Sequence, residues 1–307
     1  MIIRQATHAD NAALCALEAR TPLNMDGEPF YIRPTNFFEK HDLQERSVVM
    51  VAEEAGEIIG ACAGALHRAP LAGKERLLLY MNHERIAPEH QRKGIGGALT
   101  RAVAEYWKAH ESEHIDSSYW YIAAGNRQSR NFAERSGNRP WPVSARMCIL
   151  PPPAETPPAP RQIGAGPIFD IVRLVNGTHL GKELFRAYEQ VDFGQRLARS
   201  PSYGWGDIYG AFRDGRLVAV CGLWDGAAAD YGYEPGAEPE MALLLRALAV
   251  KAASTGHGGL MFCLEPDSRL WRELGLRDED SFELLFYAPR VEPPAHSTTL
   301  YVDPVYF

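Results

Sequence analysis

Between residues 151 and 160 the sequence reads PPPAETPPAP, six prolines in ten positions, close to the midpoint of a 307-residue chain. Proline fixes φ and removes a backbone donor, so such a run suits neither a helix interior nor a central strand and forms an extended, semi-rigid connector. Two bodies are therefore expected: a domain over 1–150, a linker over 151–160 and a second domain over 161–307. With 46% hydrophobic and 23% charged residues the chain can bury real cores, which excludes disordered, collagenous and coiled-coil classes. The five cysteines (Cys15, Cys62, Cys148, Cys221, Cys263) are odd in number and scattered, and several lie in apolar runs. They read as free thiols of a reducing, cytoplasmic compartment. The opening MIIRQATHAD lacks a basic-then-apolar leader, and the apolar run MALLLRALAV is broken by Arg246, so no membrane segment is expected.

Each half carries mixed α/β signals. In the first, strands are expected at 2–5, within 47–66 around a turn at Ala55-Gly56, and at 75–86, 118–124 and 143–149, with helices at 9–20, 97–110 and 127–136. The second half echoes that order. FDIVRLV (169–175) mirrors the opening strand IIRQA, and GAFRDGRLVAVCGL (210–223) aligns without gaps on VAEEAGEIIGACAG (51–64), setting Cys221 on Cys62 and Gly215 on Gly56. LWRELG (270–275) parallels FAERSG (132–137). Three matches in one order predict a duplicated fold.

Chemistry concentrates in residues 80–100, YMNHERIAPEHQRKGIGGALT. A strand ends at Ile86, a turn follows at Pro88, and Gln91, Arg92, Lys93, Gly94, Ile95, Gly96 and Gly97 lead straight into a helix. Glycines permit a tight turn with inward N–H groups, and the helix N-terminus adds partial positive charge, so the loop suits an anion; Arg92 and Lys93 make a diphosphate its natural guest. No GxxxxGK[ST] is present, and a dinucleotide fingerprint would need glycine where Leu99 stands. On the preceding strand a period of two puts Tyr80, Asn82, Glu84 and Ile86 on one face.

The hexapeptide Gln91-Arg92-Lys93-Gly94-Ile95-Gly96 resembles the [RQ]xxGx[GA] signature of the GNAT superfamily of acyl-CoA N-acyltransferases. The Ile86-Ala87-Pro88 lead-in, the amphipathic helix after the loop and the downstream Asn126, Ser129, Phe132, Arg135 and Gly137 fit the same pattern over residues 1–150. The resemblance implies the fold class α/β with a mixed sheet, in two GNAT-like domains in tandem. It also implies that Arg92–Gly97 hold the pyrophosphate of acetyl-CoA as co-substrate, that the backbone at 84–86 pairs with the pantetheine arm, and that Asn126 and Ser129 meet that arm or its thiol end. The activity implied is N-acetyl transfer to a primary amine of a small molecule or peptide by direct attack in a ternary complex, with Glu84 as general base, Tyr80 and Asn82 positioning the amine and the N–H of Ile86 supporting the oxyanion. The superfamily often supplies a tyrosine as general acid in F-Y-x-K-x-G-F; here F-A-E-R-S-G-N sets Ala133 there, leaving Ser129, Tyr80 or solvent. That departure keeps open a non-catalytic acyl-CoA-binding or sensing protein.

Residues 1–150 carry 18 basic and 18 acidic residues, whereas 151–307 carry 14 and 21. This acidity argues against a nucleic-acid partner. In the second half Glu234, Glu238 and Glu240 lead into the helix where a diphosphate loop would stand, which marks a degenerate copy. His110-Glu-Ser-Glu-His114 formally matches HExxH, but it closes a polar helix end without a third ligand, so no metal is expected. The aromatic run Tyr119-Trp120-Tyr121 is expected to be core. Residues 21–43, with Asp26, Glu28, Phe30, Tyr31, Phe37 and Phe38, occupy the place of the acceptor loop; the tail HSTTLYVDPVYF is expected to dock on a sheet. A monomer or homodimer is expected.

Overall fold

The computed structural model describes the chain apart from residues 26, 27, 31–33, 35, 200, 201, 267, 296, 297 and 304–307. It divides into one unit of Met1–Pro142 with Leu285–Ala295 and another of Val143–Leu284 with His296–Phe307. The division thus falls at 142/143, eight residues before the boundary expected at 150, and the prolines of 151–160 lie inside the second unit. Residues 285–295, expected in the second domain, belong to the first unit.

The first unit runs β1 (Ile2–Gln5), α1 (Asn11–Arg20), β2 (Leu23–Met25), β3 (Glu28–Phe30), α2 (Glu39–Leu43), β4 (Ser47–Glu54), β5 (Glu57–Leu71), β6 (Lys74–Ile86), α3 (Ile95–His110), β7 (Ser117–Ala123) and α4 (Arg127–Arg135). Its main sheet has the order β1-β4-β5-β6-β7, continued by residues 285–287; β1, β4, β5 and β6 pair antiparallel in turn, and β6 pairs with β7 in parallel. The β4–β5 hairpin follows from Ala55-Gly56, which take φ of 52° and 82°; two left-handed residues make the tight turn that matches strand twist. One face of the sheet carries Met50, Cys62, Leu66, Leu77 and Leu79 against Ile95, Leu99, Val103 and Trp107 of α3. The other carries Val49, Val51, Ala61 and Ala63 against Leu14 and Leu17 of α1 and Phe37 and Phe38. The helix stripe 95, 99, 103, 107 has the spacing of one buried face.

The second unit runs β8 (Ser144–Leu150), β9 (Arg161–Gln162), α5 (Ile168–His179), α6 (Gln190–Ala198), β10 (Ile208–Arg213), β11 (Arg216–Trp224), β12 (Ala227–Tyr233), α7 (Glu238–Ser254), β13 (Leu260–Cys263), α8 (Arg269–Leu274) and β14 (Ser281–Tyr287), whose last three residues were counted with the first unit. FDIVRLV is helix, not the strand expected. Ile171, Val172, Leu174, Val175 and His179 are its buried residues, a 3.6-residue stripe that outweighs its β-branched content. It therefore answers to α1, and β9 to β1. The remaining echoes are structural. Asp214-Gly215 repeats the turn of Ala55-Gly56 with φ of 50° and 79°, and a register slip follows at Ala52/Glu53 in one unit and Ala211/Phe212 in the other. Helices α4 and α8 are both capped by a side-chain oxygen, of Asn126 and Ser268, and both are followed by a left-handed glycine. The two units are GNAT-like α/β domains in tandem. All five cysteines are free. Among the described residues no helix is long and apolar enough to cross a membrane.

Candidate functional site

The pairing of β5 with β6 slips once. Ala61 stands opposite Arg85 and Ala63 opposite Asn82, so both His83 and Glu84 face the single Cys62. This β-bulge puts His83 at φ +50°, a left-handed backbone that few non-glycine residues adopt. It also reverses the alternation of side chains, which corrects the shared face expected for Tyr80, Asn82, Glu84 and Ile86. Asn82 pairs with Ala63 and Arg85 with Ala61, both on the α1 face, and Tyr80 precedes Asn82 by one period. Ile86 instead packs with the α3 cluster, and a Cβ at Gly96 would collide with the Glu84 carboxylate. Tyr80, Asn82, His83 and Arg85 thus share the α1 face, while Glu84 and Ile86 lie on the α3 face.

On the α3 side the glycine loop has the expected form. Gly94 caps the helix at φ +81° and Arg92 sits at +62°, so the chain turns inward twice within three residues. Helix geometry leaves the N–H groups of Ile95, Gly96 and Gly97 without intrahelical acceptors, and among the described residues nothing else takes them. Arg92 and Lys93 are exposed and form no ion pair among the described residues. Gln91 is braced by donating to the Ile86 carbonyl at 3.1 Å and by accepting from Gln128 at 3.1 Å. Solvent reaches Glu84, yet the protein around its carboxylate strips enough water to push its pKa up to about 7, against the pull of Arg85. A protonated Glu84 beside the loop leaves the anion site positive. Beyond the pairs Leu78/Ser117 to Tyr80/Tyr119, no pairing of β6 with β7 continues among the described residues, which frees the edge of 81–86 for an extended ligand. These features fit a CoA thioester: donors for a diphosphate, then a strand edge for an amide-bearing arm.

Asn126 and Ser129 come together, but by capping: the Asn126 side-chain oxygen accepts from the Ser129 N–H at 3.1 Å. That oxygen serves α4, while the Ser129 hydroxyl makes no hydrogen bond among the described residues. Ala133 points into a cluster with Ile122 and Tyr287, and Tyr287 stacks on Trp120 at 5.7 Å. A tyrosine at 133 would meet that ring, so the substitution is part of the packing.

On the α1 face stands a cluster the motif did not reveal. Glu18, its side chain fully buried, accepts from His83 Nδ1 at 2.9 Å and from Arg85 Nε at 3.2 Å. Burial alone would raise the pKa of Glu18; Arg85 and His83 outweigh it and bring it to about 2. His83 is pushed below its usual value by burial, which Glu18 offsets only in part. His41 of α2 lies 5.2 Å from the His83 ring; it is buried with neither nitrogen hydrogen-bonded. Asn82 Nδ2 is likewise a buried donor without a partner. The available sequence signal was Glu18 itself, a carboxylate on the face of α1 that buries Leu14 and Leu17.

Of the acceptor-loop residues, Phe37 and Phe38 are core against α1. Asp26 and Tyr31 lie outside the described residues, as do the side chains of Glu28 and Phe30. Tyr119 is buried and stands 5.0 Å from Tyr80. Helix α3 ends at His110, whose ring stacks on Tyr106 at 4.1 Å, so His110 and His114 do not share a helical turn. In the tail Leu300 and Val302 are buried and Leu300 bridges to Glu183; residues 304–307 lie outside the described ones.

Residues 11–137 match the family model described as acetyltransferase (GNAT) family. A GCN5-related N-acetyltransferase from Sphaerobacter thermophilus aligns at 18% identity and TM-score 0.59 over 97% of this chain and 98% of its own. N-myristoyltransferase of Saccharomyces cerevisiae with bound myristoyl-CoA aligns at 12% identity and TM-score 0.66, over 95% and 84%. A GCN5-related N-acetyltransferase from Kribbella flavida aligns at 14% and 0.51, over 94% and 70%. These structures share the fold. No curated protein sequence matches the chain. With the glycine turn, the bulged strand and the capped α4 all inside the matched segment, residues 11–137 are similar to the acetyltransferase (GNAT) family.

Proposed function

We propose that the protein is an N-acetyltransferase that moves an acetyl group from acetyl-CoA to a primary amine of a small molecule or peptide, by direct attack in a ternary complex. The observation that carries this reading is the α3 N-terminus, where three free N–H groups and two unpaired cations converge beside an unpaired strand edge. In it Gln91, Arg92, Lys93, Gly94, Ile95, Gly96 and Gly97 hold the diphosphate, the backbone of 84–86 pairs with the pantetheine arm, and Asn126 and Ser129 flank its thiol end. The end of β6–β7 pairing gives the thioester a way through to the α1 face, where Tyr80 and Asn82 position the amine. Direct transfer then needs both substrates bound at once, one on each face of the strand. Donors near Ile86 support the oxyanion. The second unit keeps the fold without the anion loop and serves structure or substrate selection. A cytoplasmic monomer or homodimer suits the five free thiols.

Incubation with acetyl-CoA and a panel of primary amines, read as free thiol and as acylated product, tests the reading; longer acyl-CoAs in parallel test the acetyl assignment. CoA binding without transfer across the panel would favour instead a non-catalytic acyl-CoA-binding or sensing protein, which the packed Ala133 supports.

A further inference from the structure

The bulge that carries Glu84 away from the acceptor face delivers His83 to it. We propose that His83, oriented by Glu18, is the general base that takes the proton from the acceptor amine. This inference rests on the N-acyltransferase reading above. Three observations carry it. His83 holds an uncommon left-handed backbone, a strain that persists where surrounding structure fixes it and that concentrates at functional sites. Its Nδ1 is bound to a fully buried carboxylate, which fixes the tautomer with the proton on Nδ1 and leaves Nε2 as a lone-pair acceptor. Nε2 makes no hydrogen bond among the described residues, and the His83 side chain keeps 12% of its surface exposed, whereas both nitrogens of the adjacent His41 are buried.

The groups that set its charge come from three elements: Glu18 on α1, Lys40 and His41 on α2, and Arg85 on β6. Glu18 favours the imidazolium, whereas burial, Lys40 and Arg85 disfavour it, and the balance pushes the pKa down, towards the neutral ring. A neutral imidazole held by a carboxylate is the protonation state a base requires. Asn82 on the same face, with a buried and unpartnered Nδ2, is suited to donate to an oxygen of the ligand. Glu84 lies on the other face of the strand, beside Gly96.

The amine nitrogen forms a C–N bond to the thioester carbonyl carbon, and the C–S bond breaks with its electron pair on sulfur. Of the three protons on the ammonium, one passes to His83 Nε2 and on to solvent, one stays on the amide and one ends on the CoA thiol. Glu18 is a positioning residue and does not exchange a proton.

The experiment measures acetyl transfer to responsive amines from pH 5 to 9, together with the CoA dissociation constant, for wild type, His83→Gln, Glu18→Gln and Glu84→Gln. Expected for His83→Gln is a fall in kcat of about 100-fold or more, an unchanged CoA constant, loss of the acid limb of the pH profile and partial rescue of a His83→Ala variant by added imidazole. Glu18→Gln, if folded by circular dichroism, should move the acid limb to lower pH, because the imidazolium loses its counter-charge. The proposal is overturned if His83→Gln keeps its activity within a few-fold, if it fails only by losing CoA affinity, or if the acid limb disappears in Glu84→Gln and survives in His83→Gln. An active wild type in any of those cases leaves the acyltransferase reading intact. A wild type that binds CoA yet transfers to no amine overturns both together.

Discussion

The two units place the same device, a bulge opposite a cysteine, under opposite conditions. In the first unit the extra residue is His83 opposite Cys62; in the second it is Asp230 at φ +47° opposite Cys221. Both bulge residues turn to a buried ionic partner. His83 meets Glu18, and its other nitrogen stays uncommitted. Asp230 accepts from Arg196 Nε at 3.0 Å, Tyr203 OH at 2.9 Å and Tyr188 OH at 3.0 Å, while Arg196 also donates to Asp303 at 2.6 Å. The second bulge is filled with its own side chains.

The strand-to-helix connections differ in the same sense. Eight residues (87–94) join β6 to α3, but four (234–237) join β12 to α7, so the segment equivalent to Gln91-Arg92-Lys93-Gly94 has no room. At the second helix N-terminus Glu240 holds Arg213 through two bonds of 2.6 Å, Glu234 holds Arg173 at 3.0 Å, and Glu238 lies 3.7 Å from Arg269. One helix start leaves its donors and cations unpaired among the described residues; the other has its anions and cations paired with one another. A shared scaffold thus presents two different helix starts according to which charges remain unpaired.

Four changes should break or sharpen that contrast. The largest effect is expected from Asp230→Ala, which removes a carboxylate from buried Arg196 and an acceptor from the hydroxyls of Tyr203 and Tyr188. A loss of about 3–5 kcal/mol is the usual consequence of breaking a buried pair. Urea denaturation should show it, with the CoA dissociation constant of the remaining folded protein unchanged; a CoA site weakened along with it would mean that the second bulge does more than hold structure. Next comes Arg92→Ala with Lys93→Ala. Removing two charge-assisted contacts should weaken CoA binding by roughly 10- to 100-fold with stability unaltered, whereas Arg213→Ala should leave calorimetric CoA binding as it is.

Smaller again is Gly96→Val, whose side chain would push the Glu84 carboxylate aside and crowd the loop; CoA affinity should drop by about tenfold without loss of fold. The smallest effect concerns Glu84→Gln. With its pKa raised to about 7, the wild-type carboxyl is mostly protonated at pH 6 and mostly anionic at pH 8, where it opposes the diphosphate. The variant should bind CoA like wild type at pH 6 and a few-fold more tightly at pH 8. Equal affinities at both pH values would show that the carboxyl lies away from the diphosphate in solution.

Much of this is legible in the amino-acid sequence alone. Residues 91–97 announced an anion loop because glycines, basic residues and a helix start are local in sequence, and local backbone preferences act without long-range help. The Ala55-Gly56 and Asp214-Gly215 turns, and the Asn126 cap, are local in the same way. Less readable was anything that depended on register. Counting by twos from Tyr80 gives Glu84 the acceptor face; one inserted residue at the bulge moves it to the other. FDIVRLV looked like a strand because its β-branched residues suit one, and the burial that makes it helix comes from β12, whose Gly232 lies against the backbone of Leu174 and Val175.

By itself the sequence determined that there are two α/β bodies with echoes of one order, that the first carries a glycine-rich, basic turn at a helix start, and that the second has carboxylates there. These are statements about composition and short-range pattern. Tertiary structure alone decided where the bodies divide, with residues 285–295 counted in the first, and which side chains meet across the bulge. Glu18 and His83 are 65 residues apart in the chain and 2.9 Å apart in space. No periodicity encodes that meeting, because it is set by the docking of α1 on a strand whose alternation has been reversed once.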